Sequence, residues 1–475
     1  MIPKIRAKIR LFPLMLLAAV SYDLALWWDS AASVWLTAAS AAAFCMMARA
    51  NTARQAFYGG IGAALLIYVP HLWFLTSIFQ LLAGPLWLSL ALWPGVFCGT
   101  LHVVNRKLGA GPALALAPVL WLGLEYFRSE VWMLHFSWLT PGFALPADKM
   151  GWLYQSLGVY GSGALLVLAG AALVFLKRPI LALASSLIIP ALLLPGRHVV
   201  GDTGSVRITG VQFEGAMPDE LLAGLEEART TQPDTGLYIL PEYSFPGPVP
   251  AKFLAWCKTN HTWLIAGGKD FLKGRKNHQG ELAFYNTAFV IGPAGTVVHR
   301  QAKSRPIQFF DDGERAASQE VWSSPWGRFG ICICYDQNYS KVTDPLAAQQ
   351  MQALLIPTLD LESWGSHQHW LSARLAAVRA AEYGVPVIRL ASSGFSHFLD
   401  ARGGLLASGS MPGQGEIVSA MVQIGSPARQ PRDRLPAQVS IYAAGGCVLW
   451  AMVMCFLEQR QLQNKPSAEP SLILS

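Results

Sequence analysis

Apolar residues follow two textures along this chain. Long, nearly unbroken apolar runs occur at about 11–28, 31–48, 61–79, 82–101, 112–127, 158–176 and 179–196, and again at 437–457. Most are close to the roughly 20 residues an α-helix needs to cross a hydrocarbon core. From about 205 to 425 the apolar runs shorten. They lie at 206–211, 237–240, 262–266, 288–291, 329–334, 353–356 and 385–390, and helix-like stretches at 218–230, 249–259, 344–352 and 367–383 separate them. Short aliphatic runs alternating with helices predict an α/β domain. The expected architecture is a multi-span α-helical membrane bundle with an α/β domain appended. About seven helices occupy 1–196, the α/β domain 197–436, an eighth span 437–457, and a polar tail 458–475.

Charge orients this arrangement. Basic clusters stand at Lys4, Arg6, Lys8 and Arg10, at Arg49 and Arg54, at Arg106 and Lys107, at Lys177 and Arg178, and at Arg460 and Lys465. Every second connection carries one, while the connections around Asp29 and Gln80 carry none. The positive-inside rule places the basic ends and the tail in the cytoplasm and 197–436 outside. The first run lacks a convincing small-residue cleavage site and another span follows at once, so it is expected to remain as an anchor. Composition agrees. Only 14% of residues are charged, against about 25% in soluble chains. The net charge of +7 is spread over the connections and forms no basic stripe for nucleic acid. Seven cysteines at irregular spacing are not a disulfide framework. With no zinc-type spacing and no Gly-rich phosphate loop, no metal site is predicted.

The chemistry-bearing residues lie in the α/β region. Phe329-Gly-Ile-Cys-Ile-Cys-Tyr-Asp336 is an apolar strand delivering a thiol to its polar end. Cys332 and Cys334 lie two apart and share a strand face, so spacing alone does not choose between them. Lys303 lies about thirty residues upstream, and Glu242, in Tyr238-Ile-Leu-Pro-Glu-Tyr243, about sixty before that. A thiol with a pKa near 8.5 needs a base or a neighbouring cation to attack a carbonyl at neutral pH. Glu242 supplies the first and Lys303 the second. The backbone N–H of Tyr335 is a candidate oxyanion donor. Taken singly, these are commonly a core cysteine, a loop acid and a surface lysine; their joint occurrence carries the weight.

On these motifs, 205–425 resembles the nitrilase (carbon–nitrogen hydrolase) superfamily, and the whole chain resembles the bacterial apolipoprotein N-acyltransferase family. Ile333-Cys-Tyr-Asp336 stands where that family has Ile-Cys-Tyr-Glu, which assigns Cys334 as nucleophile. Leu240-Pro-Glu242 matches the general-base motif, Lys303 the catalytic lysine and Tyr285-Asn-Thr287 a strand entry. His367-Gln-His369, Arg374, Arg379, Glu382, Ser392-Ser-Gly394 and Asp400-Ala-Arg-Gly403 follow the family's later segment. In the membrane half, Trp121, Glu125 and Arg128 resemble its Trp-x-x-x-Glu-x-x-Arg signature. Phe136-Ser-Trp138 stands where Phe-Pro-Trp is usual, and Gly158-Val-Tyr-Gly161 recurs. Three stretches depart: Asp336 replaces Glu, 304–314 lacks Pro-Phe-Gly-Glu, and 359–365 lacks Asn-Asp-x-Trp-Phe-Gly. An auxiliary acid is therefore sought among Asp311, Asp312 and Glu314, with Asp311 favoured.

The resemblance implies an αββα sandwich and a ping-pong acyl transfer without an organic cofactor. A phospholipid acylates Cys334, and the acyl group passes to the amino terminus of a diacylglyceryl-cysteine apolipoprotein. It further implies a bacterial inner membrane protein with a periplasmic catalytic domain. Two other classes are a membrane-tethered amidase releasing acyl groups to water, which an open aqueous cleft at Cys334 would favour, and a non-catalytic scaffold. The aromatics of 128–157 are expected to form an interfacial belt or a lipid-facing portal, and Glu125 and Arg128, one turn apart, can pair.

Overall fold

The computed structural model describes residues 10–28, 30–176, 204–277, 279–308 and 310–463. The expected span at 179–196 and the end of the tail lie outside the described residues. In the membrane half the helices are α1 (Leu11–Trp27), α2 (Ser33–Met47), α3 (Ala53–His71), α4 (Leu75–Phe79), α5 (Ala83–Leu108), α6 (Ala110–Tyr126) and α7 (Ala147–Phe175). A last helix, Arg434–Gln463, packs back onto α5 and α6. The segments Leu75–Leu108, Ala110–Val131, Ala147–Phe175 and Arg434–Gln461 are long and apolar enough to cross a membrane. Apolar side chains also cover their outer faces, such as Leu449, Met452, Val453 and Phe456 on the last helix. A helix apolar on every side needs a lipid environment or a core around it.

Three features of this half differ from the expected pattern. The third run, expected at 61–79, is divided. Thr52 caps α3 by accepting the Gln55 N–H at 3.1 Å, so the helix starts earlier. It ends one residue after Pro70, and 75–79 becomes the separate α4. The run at 158–176 belongs to a helix that begins at Ala147 and is broken at Gly158, with φ +64° and ψ −179°. Glu125 and Arg128 form no ion pair among the described residues. Phe127–Val131 winds as one π-type turn. Arg128 donates to Tyr68 Oη at 2.8 Å and the Trp138 carbonyl at 3.1 Å, and Glu125 accepts from Trp121.

The α/β domain contains two six-stranded sheets. One runs β12-β1-β2-β3-β4-β5, the other β11-β10-β9-β8-β7-β6. The strands of the first are β1 (Gly204–Gln212), β2 (Leu237–Ile239), β3 (Trp263–Lys276), β4 (Leu282–Ile291), β5 (Val297–Ala302) and β12 (Glu416–Ile424). Those of the second are β6 (Trp322–Ser324), β7 (Gly327–Ile331), β8 (Ala353–Thr358), β9 (Val387–Ala391), β10 (His397–Leu399) and β11 (Leu405–Ser408). The centres are parallel, β1-β2-β3 and β7-β8-β9, and the edges antiparallel. Ile208, Ile239, Ile331, Leu355 and Ile388 meet between the sheets. Helices Pro218–Thr231 and Ala251–Asn260 cover the outer face of the first sheet; Ser340–Ala348 and Ser366–Tyr383 cover that of the second. This is the expected αββα sandwich. Central strands buried on both faces explain why their sequences run apolar without alternation. Helix Ser366–Tyr383 also gives Leu371, Leu375 and Val378 to the membrane core, joining the halves.

Candidate active site

Three strand ends converge. Glu242 follows β2, Lys303 follows β5, and Cys334 lies just beyond β7. Core packing holds β2 and β7, and pairing with β4 holds β5, so the first residues beyond each are placed by rigid neighbours. Cys334 opens a 3₁₀ turn, Cys334–Asn338, with φ +48°. A non-glycine residue in that region is strained by about 1–3 kcal/mol. The strain turns Sγ away from the strand and into a cavity. Cys332 stays fully buried between β7 and the covering helices, so only Cys334 opens onto that space.

Buried polar atoms tie the site together. Lys303 Nζ lies 2.8 Å from Glu242 Oε1 and 2.7 Å from Asp312 Oδ2. Asn286 Nδ2 donates to both acids, at 2.6 and 2.9 Å. Tyr243 Oη and the Ile307 N–H complete the shell of Asp312, each at 2.7 Å. The Leu359 N–H donates to Glu242 Oε2 at 2.7 Å, and its carbonyl accepts from Cys334 Sγ at 3.7 Å. The backbone of one residue thus touches both base and thiol. The sequence favours Asp311 as auxiliary acid, but the structure brings Asp312 to Lys303 and leaves Asp311 exposed. The turn through Gly313 sets that phase, which residue counting does not reveal. Tyr335 is where expected, immediately after the thiol, and its hydroxyl donates to the His135 carbonyl at 3.3 Å. Asn286 also belongs to the site, and Tyr285-Asn-Thr287 is the sequence signal that points to it.

Burial dominates the electrostatics. It raises the Glu242 carboxyl above its ordinary range against the pull of Lys303, and Asp312 raises it further. Burial alone would lower the Lys303 ammonium, but Glu242 and Asp312 outweigh it and hold it well above the usual value. The Cys334 thiol is raised by burial and by Glu242, with Lys303 opposing. At rest this is a thiol beside a proton acceptor and a fixed cation. Such a set can deliver a thiolate to a carbonyl and stabilise the resulting oxyanion.

A cavity of about 350 Å³ opens at Cys334. Phe74, Ile78, Leu86 and Leu90 from the membrane half line it, with Phe136 and Trp138 from the outer segment and Tyr335 from the catalytic turn. The aromatics of that segment therefore include cavity walls. Trp138 Nε1 donates to Asn338 Oδ1 at 3.1 Å, fixing this wall to the turn that begins at Cys334.

Residues 208–429 match the family model described as carbon-nitrogen hydrolase. In a carbon-nitrogen hydrolase from Helicobacter pylori G27, the solved structure is 19% identical with a TM-score of 0.39, over 46% of this chain and 89% of that one. The family model assigns residues 208–429 to the nitrilase (carbon–nitrogen hydrolase) superfamily. Residues 14–172 match the apolipoprotein N-acyltransferase N-terminal domain. An apolipoprotein N-acyltransferase of Geobacter metallireducens is 22% identical over 419 residues, 74% of this chain and 78% of that protein. One of Rhizobium rhizogenes is 28% identical over 166 residues, 30% of each. The chain belongs to the apolipoprotein N-acyltransferase family, a membrane-bound branch of that superfamily.

Proposed function

We propose that this protein N-acylates lipoproteins, transferring a fatty acyl chain from a phospholipid through a thioester on Cys334. The observation that carries the reading is the cavity: the thiol faces apolar side chains contributed by membrane helices. In the first half-reaction Glu242 accepts the Cys334 proton and Sγ attacks the acyl ester carbonyl. Lys303 and the Tyr335 N–H stabilise the oxyanion. The C–O bond then breaks, and the lysophospholipid alkoxide leaves with the proton held by Glu242. In the second, the α-amino group of a diacylglyceryl-cysteine attacks the thioester. Glu242 takes its proton and returns it to the departing thiolate. The raised pKa of Glu242 suits a group that must both accept and give a proton near neutral pH. Asp312 holds the Lys303 ammonium in place and Asn286 orients both acids.

Residues 197–436 lie on the outer face of a bacterial inner membrane, where lipid esters and lipoprotein termini are met at the interface. Hydrolysis of a small polar amide is disfavoured, because membrane helices supply much of the cavity wall with apolar side chains. Mass spectrometry of the purified enzyme incubated with phospholipid provides the test. Wild type and Cys332→Ala should carry an acyl adduct on Cys334, and Cys334→Ala should carry none and lose turnover. Loss of activity in both variants with no adduct on either overturns the assignment.

A further inference from the structure

Beside the thiol the cavity carries positive charge left unanswered by its acidic neighbours. Arg305 is half-buried, its guanidinium 5.6 Å from the centre of the Tyr339 ring. Its Nε is buried with no hydrogen-bond partner. Arg315 lines the same cavity from the chain just beyond Asp312 and is exposed. The nearby acids are engaged elsewhere. Glu314 pairs with Arg275 at 3.8 Å and Asp312 with Lys303 at 2.7 Å. Asp336 accepts the backbone N–H groups of Ser304, Arg305 and Ile333, at 3.1, 2.7 and 3.2 Å. Glu130 accepts from Ser340 and Tyr160, each at 2.8 Å. The opposite wall is also exposed to the positive field. His135 lines the cavity, and burial together with Arg305, Lys341 and Arg315 pushes its pKa down to about 4, so it is neutral at physiological pH. Phe74, Ile78 and Leu86 make another part of the wall apolar. The cavity is therefore amphipathic, cationic on one side and hydrocarbon-like on another.

We propose that Arg305 and Arg315 form an anion subsite that holds the phosphodiester of a lipid acyl donor while its chain occupies the apolar wall. The lipid identity of the ligand rests on the function proposed above. Guanidinium groups suit this task because their planar donors match phosphate oxygens two at a time. A phosphate fixed there limits the positions of the glycerol ester relative to Sγ. A donor without phosphate, such as a diacylglycerol, loses this anchor and is discriminated against.

Protection of Cys334 from iodoacetamide tests the subsite in the full-length protein in detergent, with alkylation read by mass spectrometry. The probes are ether-linked dialkylphosphatidylglycerol and dialkylglycerol, which cannot acylate the thiol. In wild type the phospholipid should half-protect at a concentration at least tenfold lower than dialkylglycerol. Arg305→Gln and Arg315→Gln should each narrow that ratio, and the double variant should erase it. Arg305→Lys should retain part of it, and the control Arg229→Gln all of it. Arg315 is exposed, so its variant reports on the subsite even if Arg305→Gln folds poorly. Equal protection by the two probes in wild type, or a ratio that survives in the double variant, overturns the proposal. Protection by inorganic phosphate at the lipid's concentration assigns the site to a free anion and overturns the lipid assignment. No turnover is involved. Failure of the acyltransferase reading would appear separately, as the absence of an acyl adduct from ester phospholipid whatever the protection ratio.

Discussion

Asp336 links the nucleophile turn to the chain following Lys303. It is fully buried and accepts three backbone N–H groups, from Ser304, Arg305 and Ile333. Burial pushes its pKa up to about 6 against the pull of Lys303 and these amides. The family resemblance puts glutamate here, and the shorter aspartate reaches the backbone of Ser304 and Arg305 directly. Asp336→Glu restores the family motif but adds a methylene to a closed site. Overpacking of this kind costs about 1–3 kcal/mol. The expected result is a lower thermal midpoint and slower thioester formation than wild type, measured by unfolding and adduct kinetics. A glutamate variant as stable and as fast as wild type would show that the loop adapts freely.

At the scale of elements, the break in α7 is the most consequential feature. Gly158 lies where only glycine is comfortable, and a Cβ there would overlap the Asp433 carboxylate. The helix that resumes beyond it is capped by other elements. The Val159 N–H donates to Glu382 Oε1 and the Gly161 N–H to Asp433 Oδ2, both at 3.1 Å. Arg434 balances these acids, at 3.0 Å from Glu382 and 2.8 Å from Asp433. Arg379, bonded to Glu382, donates to the carbonyls of Gln337 and Asn338 at 2.7 and 2.8 Å. The break in a membrane helix is thereby connected to the far end of the turn carrying Cys334. Gly158→Ala should lose about 1–3 kcal/mol from backbone strain alone, before the overlap with Asp433 is counted. Thermal unfolding of the purified variant should show a clearly lowered midpoint and a reduced folded yield. An unchanged midpoint would mean that Asp433 moves aside at no cost.

For the whole molecule, neither half closes the site alone. The catalytic domain supplies the thiol and its buried partners, while the membrane helices and outer segment supply the apolar wall. Glu130, in the π-type turn after α6, accepts the Ser340 N–H at 2.8 Å and so caps the helix that follows the nucleophile turn. Aromatic stacking of Trp27 on Trp370, with ring centres 4.6 Å apart, adds another joint. On the proposed function, both substrates reach this cavity from the membrane plane on the side where the catalytic domain lies. On the orientation proposed from the alternating basic clusters, that side lies outside the cytoplasm. A reporter active only outside the cytoplasm should be active when fused after Gly204 and silent when fused after Arg178. The reverse pattern would overturn both the orientation and the lipoprotein substrate.

Local chemistry alone determined much of this protein. Apolar run length separates membrane helices from strands, because crossing a bilayer and crossing a sheet need different lengths. Glu242, Lys303 and Cys334 are recognisable because each ends a β-like segment, and Leu240-Pro-Glu242 and Ile333-Cys-Tyr335 mark two of them. The structure brings the three together, and their catalytic roles await the adduct experiment. Several features needed tertiary structure. Asp312 replaces Asp311 beside Lys303 because a turn sets the direction of each side chain, and neighbouring acids look alike in sequence. Arg128 turns to Tyr68 and Trp138 instead of Glu125 because a π-type turn rotates it. The end of α3 after Pro70 lies inside an apolar run whose hydropathy is uninterrupted, and the break at Gly158 stands at the first residue of another that the helix enters from Ala147. The cavity depends on packing between residues more than two hundred positions apart, such as His135 and Tyr339, a distance over which no local pattern carries information.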